Sequence, residues 1–282
     1  MILDGRKVVE SKIEDLKLRV RELNHKPTLA IVRVGEDFAS GKYVANKINK
    51  CAEVGINSKV IHLPEDTTNE TVARMINKLN LDDGITGILL QLPLPKHLNE
   101  EYLTSLIFRN KDVDGFTERN AGRLMLGQKG IVPCTPSGII EMLKYYNVSL
   151  EGKDVLIINR SNIVGKPLAM LMLQENATVT IAHSKTKDLK DKIKRADIIV
   201  TAVGKDNFLN ANDFRKGQTV IDVSINFDEN GKMCGDVKKS DYEKLDEMQV
   251  NYSPTPGGVG QLTVIQLIEN TIEIAEGEQY ES

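Results

Sequence analysis

Residues 154–167 read DVLIINRSNIVGKP, a short apolar run that leads through a polar loop into a helix. The run from Asp154 to Asn159 predicts a strand buried in a parallel sheet, and Pro167 suits the first turn of the helix. In dinucleotide-binding folds, a loop in this position places a pyrophosphate on the helix amino terminus. Only Gly165 remains of the usual GxGxxG fingerprint, so the loop alone fits an ordinary strand-to-helix turn equally well.

Strand and helix patterns alternate on both sides of this stretch, which predicts an α/β protein. Between Asn99 and Thr135 the pattern weakens to one short helix and a loop rich in Gly, Asp and Pro, where we place the domain seam. We therefore predict two α/β lobes around a cleft, the second a Rossmann-like dinucleotide-binding domain. The predicted domains are residues 1–136 and 137–261, with a last helix in 262–282 that packs back on the first domain.

The overall charge and composition exclude several classes of protein. Lys and Arg number 37 against 40 Asp and Glu, a net charge of -3, so no positive field attracts nucleic acid or anionic lipid. No apolar run approaches the roughly 18 residues that predict a membrane span. The three cysteines lie far apart in sequence, which argues against metal and disulfide motifs and favours a cytoplasmic location.

The segment His183-Ser184-Lys185-Thr186 bears on the choice of cofactor. In an NAD site, Asp or Glu normally ends the second strand and holds the ribose hydroxyls. A carboxylate there would repel a 2′-phosphate, whereas Ser184 and Lys185, with Arg160 from the preceding loop, offer it donors. The segment therefore predicts NADP rather than NAD, while His183 itself is expected to be structural.

Four further residues are candidates for chemistry, although three of them also fit a structural role. Tyr43 and Lys47 lie four residues apart on one flank of a predicted helix, a spacing that amphipathic helices often show by chance. Gln91 follows an apolar strand, and the carboxyl ends of parallel strands are where α/β proteins keep their sites. Asp114 lies in KDVDG, where a turn carboxylate more often caps its own backbone.

The chain resembles the bifunctional methylenetetrahydrofolate dehydrogenase/cyclohydrolase family almost from end to end. The order and spacing of many blocks carry the resemblance, and a generic two-lobed dehydrogenase would not reproduce them. The blocks are VGEDFASGKYVANK, GILLQLPLP, KDVDG, NAGRL, PCTPSGI, RSNIVGKP, ATVTIAHSKT, ADIIVTAVG, GDV and PTPGGVGQLT.

This resemblance implies an enzyme of one-carbon metabolism and purine biosynthesis that oxidises 5,10-methylenetetrahydrofolate with NADP and hydrolyses the methenyl product to 10-formyltetrahydrofolate. It implies no metal and a homodimer formed through the cofactor lobe. The implied catalytic and folate-binding residues are Lys47 as the catalytic lysine, Tyr43 as the stacking ring, Gln91 as the partner of the lysine, Asp114 as the pterin-binding carboxylate, and the loop Pro254, Thr255, Pro256, Gly257 and Gly258. The implied cofactor-binding residues are Asn159, Arg160, Ser161, Gly165, Ser184 and Ile225.

Four positions depart from the family pattern. Asn159 and Ser224 replace glycines at strand ends expected to face the cofactor, where their side chains would crowd the pyrophosphate or the nicotinamide. The other two are Gln261 and Phe38, which replace prolines. Two rival functions stay open: a monofunctional NAD-dependent methylenetetrahydrofolate dehydrogenase, and a non-catalytic NADP-binding sensor.

Overall fold

The computed structural model describes residues 1–35 and 38–277, with the backbone alone for residues 38–43. By contacts it divides into two compact units. The three-stranded unit contains Lys12–Cys134 and the chain from Val264 onward, and the five-stranded unit contains Met1–Ser11 and Thr135–Thr263. Throughout the described part of the chain, every helix is too short or too polar to cross a bilayer.

The three-stranded unit is built on a parallel sheet of order β2-β1-β3. Its strands are β1 (Thr28–Val34), β2 (Asn57–Leu63) and β3 (Gly87–Leu90), and its helices are α2 (Phe38–Val54), α3 (Asn69–Asn80), α4 (Glu100–Ser105) and α5 (Glu118–Met125). All four residues of β3 are buried, which explains why GILL reads as a continuous apolar run. The core joins β1 and β3 to α3, whose buried positions Val72, Ile76 and Leu79 recur every three or four residues.

The five-stranded unit is built on a second parallel sheet, of order β10-β7-β6-β4-β5. Its strands are β4 (Asp154–Ile158), β5 (Thr178–Ala182), β6 (Ile198–Thr201), β7 (Thr219–Asp222) and β10 (Asn251–Tyr252), with the small hairpin β8 (Asn226–Phe227) and β9 (Met233–Cys234). Its helices are α7 (Gly165–Gln174), α8 (Leu189–Arg195) and α9 (Tyr242–Glu247). Two parallel sheets alternating with helices confirm the predicted α/β class.

Three helices cross the boundaries between the units in sequence: α1 (Gly5–Glu22), α6 (Cys134–Tyr145) and α10 (Val259–Glu276). The amino-terminal segment packs within the five-stranded unit, because the backbone N–H of Leu3 donates to Tyr252 O at 2.8 Å and that of Gly5 to Gly257 O at 2.8 Å. By contacts, Met1–Ser11 thus group with the five-stranded unit, whereas the sequence suggested that they belong with the rest of 1–136.

The sequence predicted a loop after KDVDG, but the helix α5 covers part of this stretch. The reason is local: the buried carboxylate of Asp112 accepts the backbone N–H groups of Phe116 and Thr117 at 3.2 and 2.8 Å. Asn120 Nδ2, one turn into the helix, donates to the same carboxylate at 2.9 Å. A carboxylate at the start of α5 also suits the positive end of the helix dipole.

Ion pairs attach the end of α10 to α1 within the three-stranded unit. Arg19 binds both carboxylate oxygens of Glu276, at 2.9 and 2.7 Å, and Lys12 Nζ lies 2.6 Å from Glu269. All four side chains are largely buried, with exposed fractions between 15% and 24%, so water screens these pairs less than surface pairs. The bidentate pair therefore contributes to holding α10 on α1.

We expect Arg19→Ala to lower the free energy of unfolding by about 1–3 kcal/mol, because it removes two charge-assisted hydrogen bonds to Glu276 and a longer one, at 3.5 Å, to Glu269. Lys17→Ala on the same helix is the matched control, since Lys17 forms only a surface pair with the exposed Glu14 and should cost less than about 0.5 kcal/mol. Urea unfolding followed by circular dichroism measures both. Equal losses in the two variants would show that the Arg19 pair contributes nothing specific.

Candidate functional site

Lys47 and Gln91 meet in the three-stranded unit. Lys47 Nζ donates to Gln91 Oε1 at 2.9 Å, and Gln91 Nε2 donates to the backbone oxygen of Leu92 at 2.7 Å. Because only the NH₂ end of a carboxamide can donate to a carbonyl, the contact with Leu92 turns the amide oxygen toward the lysine. The lysine is half-buried, so its amine is held in one direction at a site that solvent still reaches.

The local sequence explains this placement. Val44 and Cys51 are buried on the inner side of α2, and Lys47 lies between them, three residues after the first and four before the second. Gln91 is the first residue after the fully buried β3, and its backbone N–H continues the ladder by donating to Val32 O at 2.9 Å. A polar side chain directly after a buried strand lies at the carboxyl edge of the sheet.

The two aspartates of KDVDG have different surroundings. Asp112 is 1% exposed and accepts the N–H groups of Phe116 and Thr117 just before α5, which is the turn-capping role that the sequence suggested for Asp114. Asp114 instead accepts the thiol of the buried Cys134 at 3.8 Å. Of the two carboxylates, Asp114 is therefore the one available for a ligand.

The Asp114 carboxylate is close to both Lys47 and Asp112. Burial raises the pKa of Asp114 to about 6, while the Lys47 charge acts to lower it and the Asp112 charge to raise it further. Burial, and then the charge of Asp114, raise the pKa of the Cys134 thiol well above its usual value. The carboxylate thus titrates close to neutral pH, and the thiol stays protonated beside it.

Asn270 is a site residue that the sequence analysis missed. From α10, its Nδ2 donates to the backbone oxygens of Val113 at 2.8 Å and Val132 at 3.0 Å, with Cys134 Sγ at 3.6 Å. This one amide therefore fixes the backbone on both sides of the Asp114–Cys134 contact. Gln266 and Thr271 of the same helix are also buried, so the sequence offered no signal that singled out Asn270.

Tyr43 lies on α2, one turn before Lys47, but its side chain is outside the described residues. Its stacking role stays a prediction, as does the effect of Phe38, whose side chain is also outside them. Among the described residues, no three His, Cys, Asp or Glu side chains come together as a metal site.

In the five-stranded unit, Asn159 follows β4 and organises the loop that leads to α7. Its Oδ1 accepts the backbone N–H groups of Ser161 at 2.7 Å and Gly165 at 3.1 Å, and its Nδ2 donates to Ala202 O at 2.6 Å. Gly165 is required here, because a Cβ would lie 2.3 Å from the Asn159 backbone oxygen. Arg160 is exposed between these contacts.

The segment after β5 forms a compact turn. The backbone N–H of His183 donates to Thr186 Oγ1 at 2.8 Å, and His183 Nδ1 accepts the N–H of Lys185 at 3.1 Å. The turn leaves Ser184 and Lys185 exposed at the end of the strand. A bound anion would find hydroxyl and ammonium groups there and no carboxylate.

Two buried aspartates lie behind the loop that follows β6, and the sequence analysis assigned a role to neither. Asp236 is 0% exposed and accepts the N–H groups of Val203, Gly204 and Lys205 at 2.7, 3.0 and 2.9 Å, and Thr201 Oγ1 at 2.7 Å. Burial raises the pKa of Asp222 to about 7, although the N–H groups of Val237 and Asp236 act to lower it. The short block GDV was the only sequence signal.

Ser224, Ile225 and the segment Pro254–Gly258, which the sequence analysis singled out, all belong to the five-stranded unit. Ser224 is buried, and its Oγ accepts the N–H of Gly204 at 3.0 Å, while Ile225 is exposed beside it. The segment Pro254–Gly258 also belongs to the five-stranded unit, where the N–H of Thr255 donates to Tyr242 Oη at 3.2 Å. Lys47, Gln91 and Asp114 all belong to the three-stranded unit.

Comparison with known proteins identifies both parts of the chain. Residues 3–114 match the model of the tetrahydrofolate dehydrogenase/cyclohydrolase catalytic domain. Residues 133–279 match the model of the NAD(P)-binding domain of the same family. The predicted dinucleotide-binding character of the second α/β part is thereby confirmed.

Individual relatives align over nearly the whole chain. The bifunctional protein FolD of Listeria innocua is 47% identical over 278 residues, which cover 98% of this chain and 97% of the relative. The crystal structure of the bifunctional FolD methylenetetrahydrofolate dehydrogenase/cyclohydrolase from Campylobacter jejuni is 42% identical, with a TM-score of 0.94 and coverage of 98% and 99%. The Trypanosoma brucei dehydrogenase-cyclohydrolase, complexed with NADP cofactor and inhibitor, is 31% identical, with a TM-score of 0.91 and coverage of 100% and 99%.

The predicted resemblance and the predicted enzyme class are thus confirmed, and the chain belongs to the tetrahydrofolate dehydrogenase/cyclohydrolase family.

Proposed function

We propose that this protein oxidises 5,10-methylenetetrahydrofolate to 5,10-methenyltetrahydrofolate with NADP and hydrolyses the methenyl compound to 10-formyltetrahydrofolate. The observation that carries this proposal is the hydrogen bond from Lys47 to Gln91 close to the Asp114 carboxylate, in a chain of this family. This arrangement places an amine and a carboxylate in one site. The related Campylobacter jejuni enzyme is named for both activities.

The oxidation requires little acid or base chemistry from the protein. A hydride leaves the methylene carbon that bridges two folate nitrogens and passes to the nicotinamide, and a methenyl cation remains. The requirement is to hold the donor carbon and the acceptor ring in contact, which is a positioning task. We assign folate binding to Tyr43, Asp114 and the loop Pro254–Gly258, and propose that the Tyr43 ring stacks on the pteridine.

The hydrolysis requires a proton acceptor, because water adds to the methenyl carbon and loses a proton before the ring opens. We assign this role to Lys47. Gln91 positions the amine by accepting one of its hydrogens at 2.9 Å, and its own orientation is fixed by Leu92. Since Gln91 is neutral, it orients the amine without adding a negative charge next to it.

NADP is the proposed cofactor, and the residues assigned to its site are Asn159, Arg160, Ser161, Gly165, Ser184 and Ile225. The exposed Arg160 and Ser184 and the absence of a carboxylate from the described turn at 183–186 support a 2′-phosphate. The related structure from Trypanosoma brucei contains NADP.

Several finer features are also proposals. The protein acts in the cytoplasm, in one-carbon metabolism that supplies purine biosynthesis. Its functional domains are 1–136 with 262–282, and 137–261, although by contacts residues 1–11 group with the five-stranded unit. It forms a homodimer through the five-stranded unit, where β5 ends the sheet and exposes Ile181. An exposed sheet edge can pair with a second chain.

The central test is Lys47→Met, which removes the amine but keeps the length of the side chain. We expect methenyl hydrolysis to fall at least about 100-fold, the usual contribution of a general base, with the fold and NADP binding intact. Lys50→Met on the same helix is the control, because Lys50 pairs with Glu53 at the surface and should retain hydrolysis. Methenyl absorbance measures the reaction, and retained hydrolysis in Lys47→Met would refute the assignment.

The same assay on the unsubstituted protein separates the rival functions. A monofunctional NAD-dependent dehydrogenase would accumulate the methenyl compound and prefer NAD. A non-catalytic sensor would bind NADP without any folate-dependent change in absorbance.

Folate binding should depend on pH through Asp114. The pteridine offers N–H donors, which bind the ionised carboxylate, and burial raises the pKa of Asp114 to about 6. Affinity should therefore be constant above pH 6 and fall about tenfold for each unit below it. Titration of 5-formyltetrahydrofolate by calorimetry between pH 5 and 8 measures this, and Asp114→Asn should give weaker binding without the step near pH 6. A step of the same size in Asp114→Asn would assign the titration to another group.

Ser184→Asp should weaken NADP binding about 10–100-fold and NAD binding much less, because it places a carboxylate beside the 2′-phosphate and removes one donor. The exposed Ser240 in the same unit provides the control substitution Ser240→Asp, which should change neither affinity. The measurement is the dissociation constant of NADPH and of NADH for each variant, obtained from cofactor fluorescence. Equal losses for both cofactors would contradict a 2′-phosphate at Ser184.

A further inference from the structure

The crevice between β4 and β6 is where the sheet order of the five-stranded unit reverses. From β4 the chain goes first to β5 on one side and then to β6 on the other. In open α/β sheets a dinucleotide binds at the carboxyl ends of the strands at such a switch point. The loops that border it here are residues 159–165 after β4 and residues 202–205 after β6. The inference below rests on the proposed NADP function.

The side chain of Asn159 spans this crevice. Its NH₂ group donates to Ala202 O at 2.6 Å, on the β6 side. Its oxygen accepts two N–H groups on the β4 side, from Ser161 at 2.7 Å and from Gly165, the first residue of α7, at 3.1 Å. The flipped carboxamide would lose all three contacts, because the Ala202 carbonyl cannot donate to an amide oxygen and an NH₂ group cannot accept from N–H groups.

Of the two N–H groups that Asn159 occupies, that of Gly165 belongs to the first turn of α7 and that of Ser161 to the loop before it. An anion at a helix amino terminus binds N–H groups of the first turn and of the loop that leads into it. The Gly165 backbone is held in place, since it packs against the Asn159 backbone with no room for a Cβ. The amide oxygen therefore accepts from N–H groups that a phosphoryl oxygen could otherwise use.

The loop on the β6 side does not depend on Asn159. Asp236 accepts three consecutive N–H groups of this loop, from Val203 to Lys205, and Ser224 Oγ also accepts that of Gly204. Asn159 contacts only Ala202 O in this loop. Loss of its carboxamide would thus open the crevice while the loop remains anchored from behind.

We propose that Asn159 discriminates against ligands that carry a pyrophosphate, because its side chain competes with the cofactor pyrophosphate for the N–H groups of Ser161 and Gly165. The side chain must rotate out before a dinucleotide binds. It lowers the affinity for every ligand that carries the pyrophosphate, whatever the ribose substituent. It does not affect ligands that bind only through the 2′-phosphate.

Asn159→Gly tests this, with Asn159→Ala as a second variant that adds no backbone freedom. The probes are NADPH, followed by its own fluorescence in a protein that has no Trp, and adenosine 2′-monophosphate, which lacks the pyrophosphate, by calorimetry. We expect both variants to bind NADPH about tenfold more tightly, the size of one net charge-assisted hydrogen bond. Binding of adenosine 2′-monophosphate should change less than about twofold.

The matched control is Ser224→Gly, which removes a loop contact and leaves the two N–H groups occupied. Although the sequence predicted crowding by both residues, Ser224 is buried with its hydroxyl on the Gly204 N–H, so its removal should not tighten NADPH binding. Equal tightening by Ser224→Gly would overturn the proposal in favour of general loosening of the crevice. Unchanged or weaker NADPH binding in the Asn159 variants would also overturn it. If the unsubstituted protein bound no NADPH, the proposed cofactor would fail first and this inference with it, so the two failures are distinguishable.

Discussion

The burial of most strands on both faces is the constraint on which the rest of this structure depends, with β2 and β5 of the long strands largely exposed. β3, β6 and β7 are buried at every position, and β4 at all but its first residue. Helices cover such sheets, so few polar side chains fit inside the strands, and reactive groups gather directly after the strands end. Gln91 after β3, Asn159 after β4 and the loop after β6 all follow this rule.

A second pattern is shared by the two units, although their sequences and sheets differ. Each unit contains two aspartates that lie close together, and burial raises the pKa of one of them. Asp112 accepts two N–H groups just before α5, and burial raises the pKa of its neighbour Asp114 to about 6. Asp236 accepts three N–H groups of the β6 loop, and burial raises the pKa of Asp222, which also accepts three N–H groups, to about 7. A buried carboxylate with several N–H donors fixes a loop firmly, which lets the adjacent positions present groups to a ligand.

The sequence was sufficient for the α/β class, the family and most element positions, because apolar runs and block order reflect burial and motif spacing directly. Side-chain partners depend on long-range contacts that no local pattern contains. The contact of Asn270 with Val113 joins residues 157 positions apart. Nothing in KDVDG indicates which aspartate accepts the N–H groups just before α5. For the same reason, Asn159 and Ser224 could be identified as unusual but their hydrogen bonds could not. The roles assigned to the site residues stay predictions.

All three cysteines are buried, so their reactivity reports local opening of the structure around them. Cys51 and Cys134 lie in the three-stranded unit and Cys234 in the five-stranded unit, and burial raises the pKa of each thiol. Alkylating reagents attack the thiolate, so each cysteine is protected both by inaccessibility and by protonation while its surroundings stay folded. The rate at which each thiol is modified therefore measures how often its own unit opens, and no label has to be introduced.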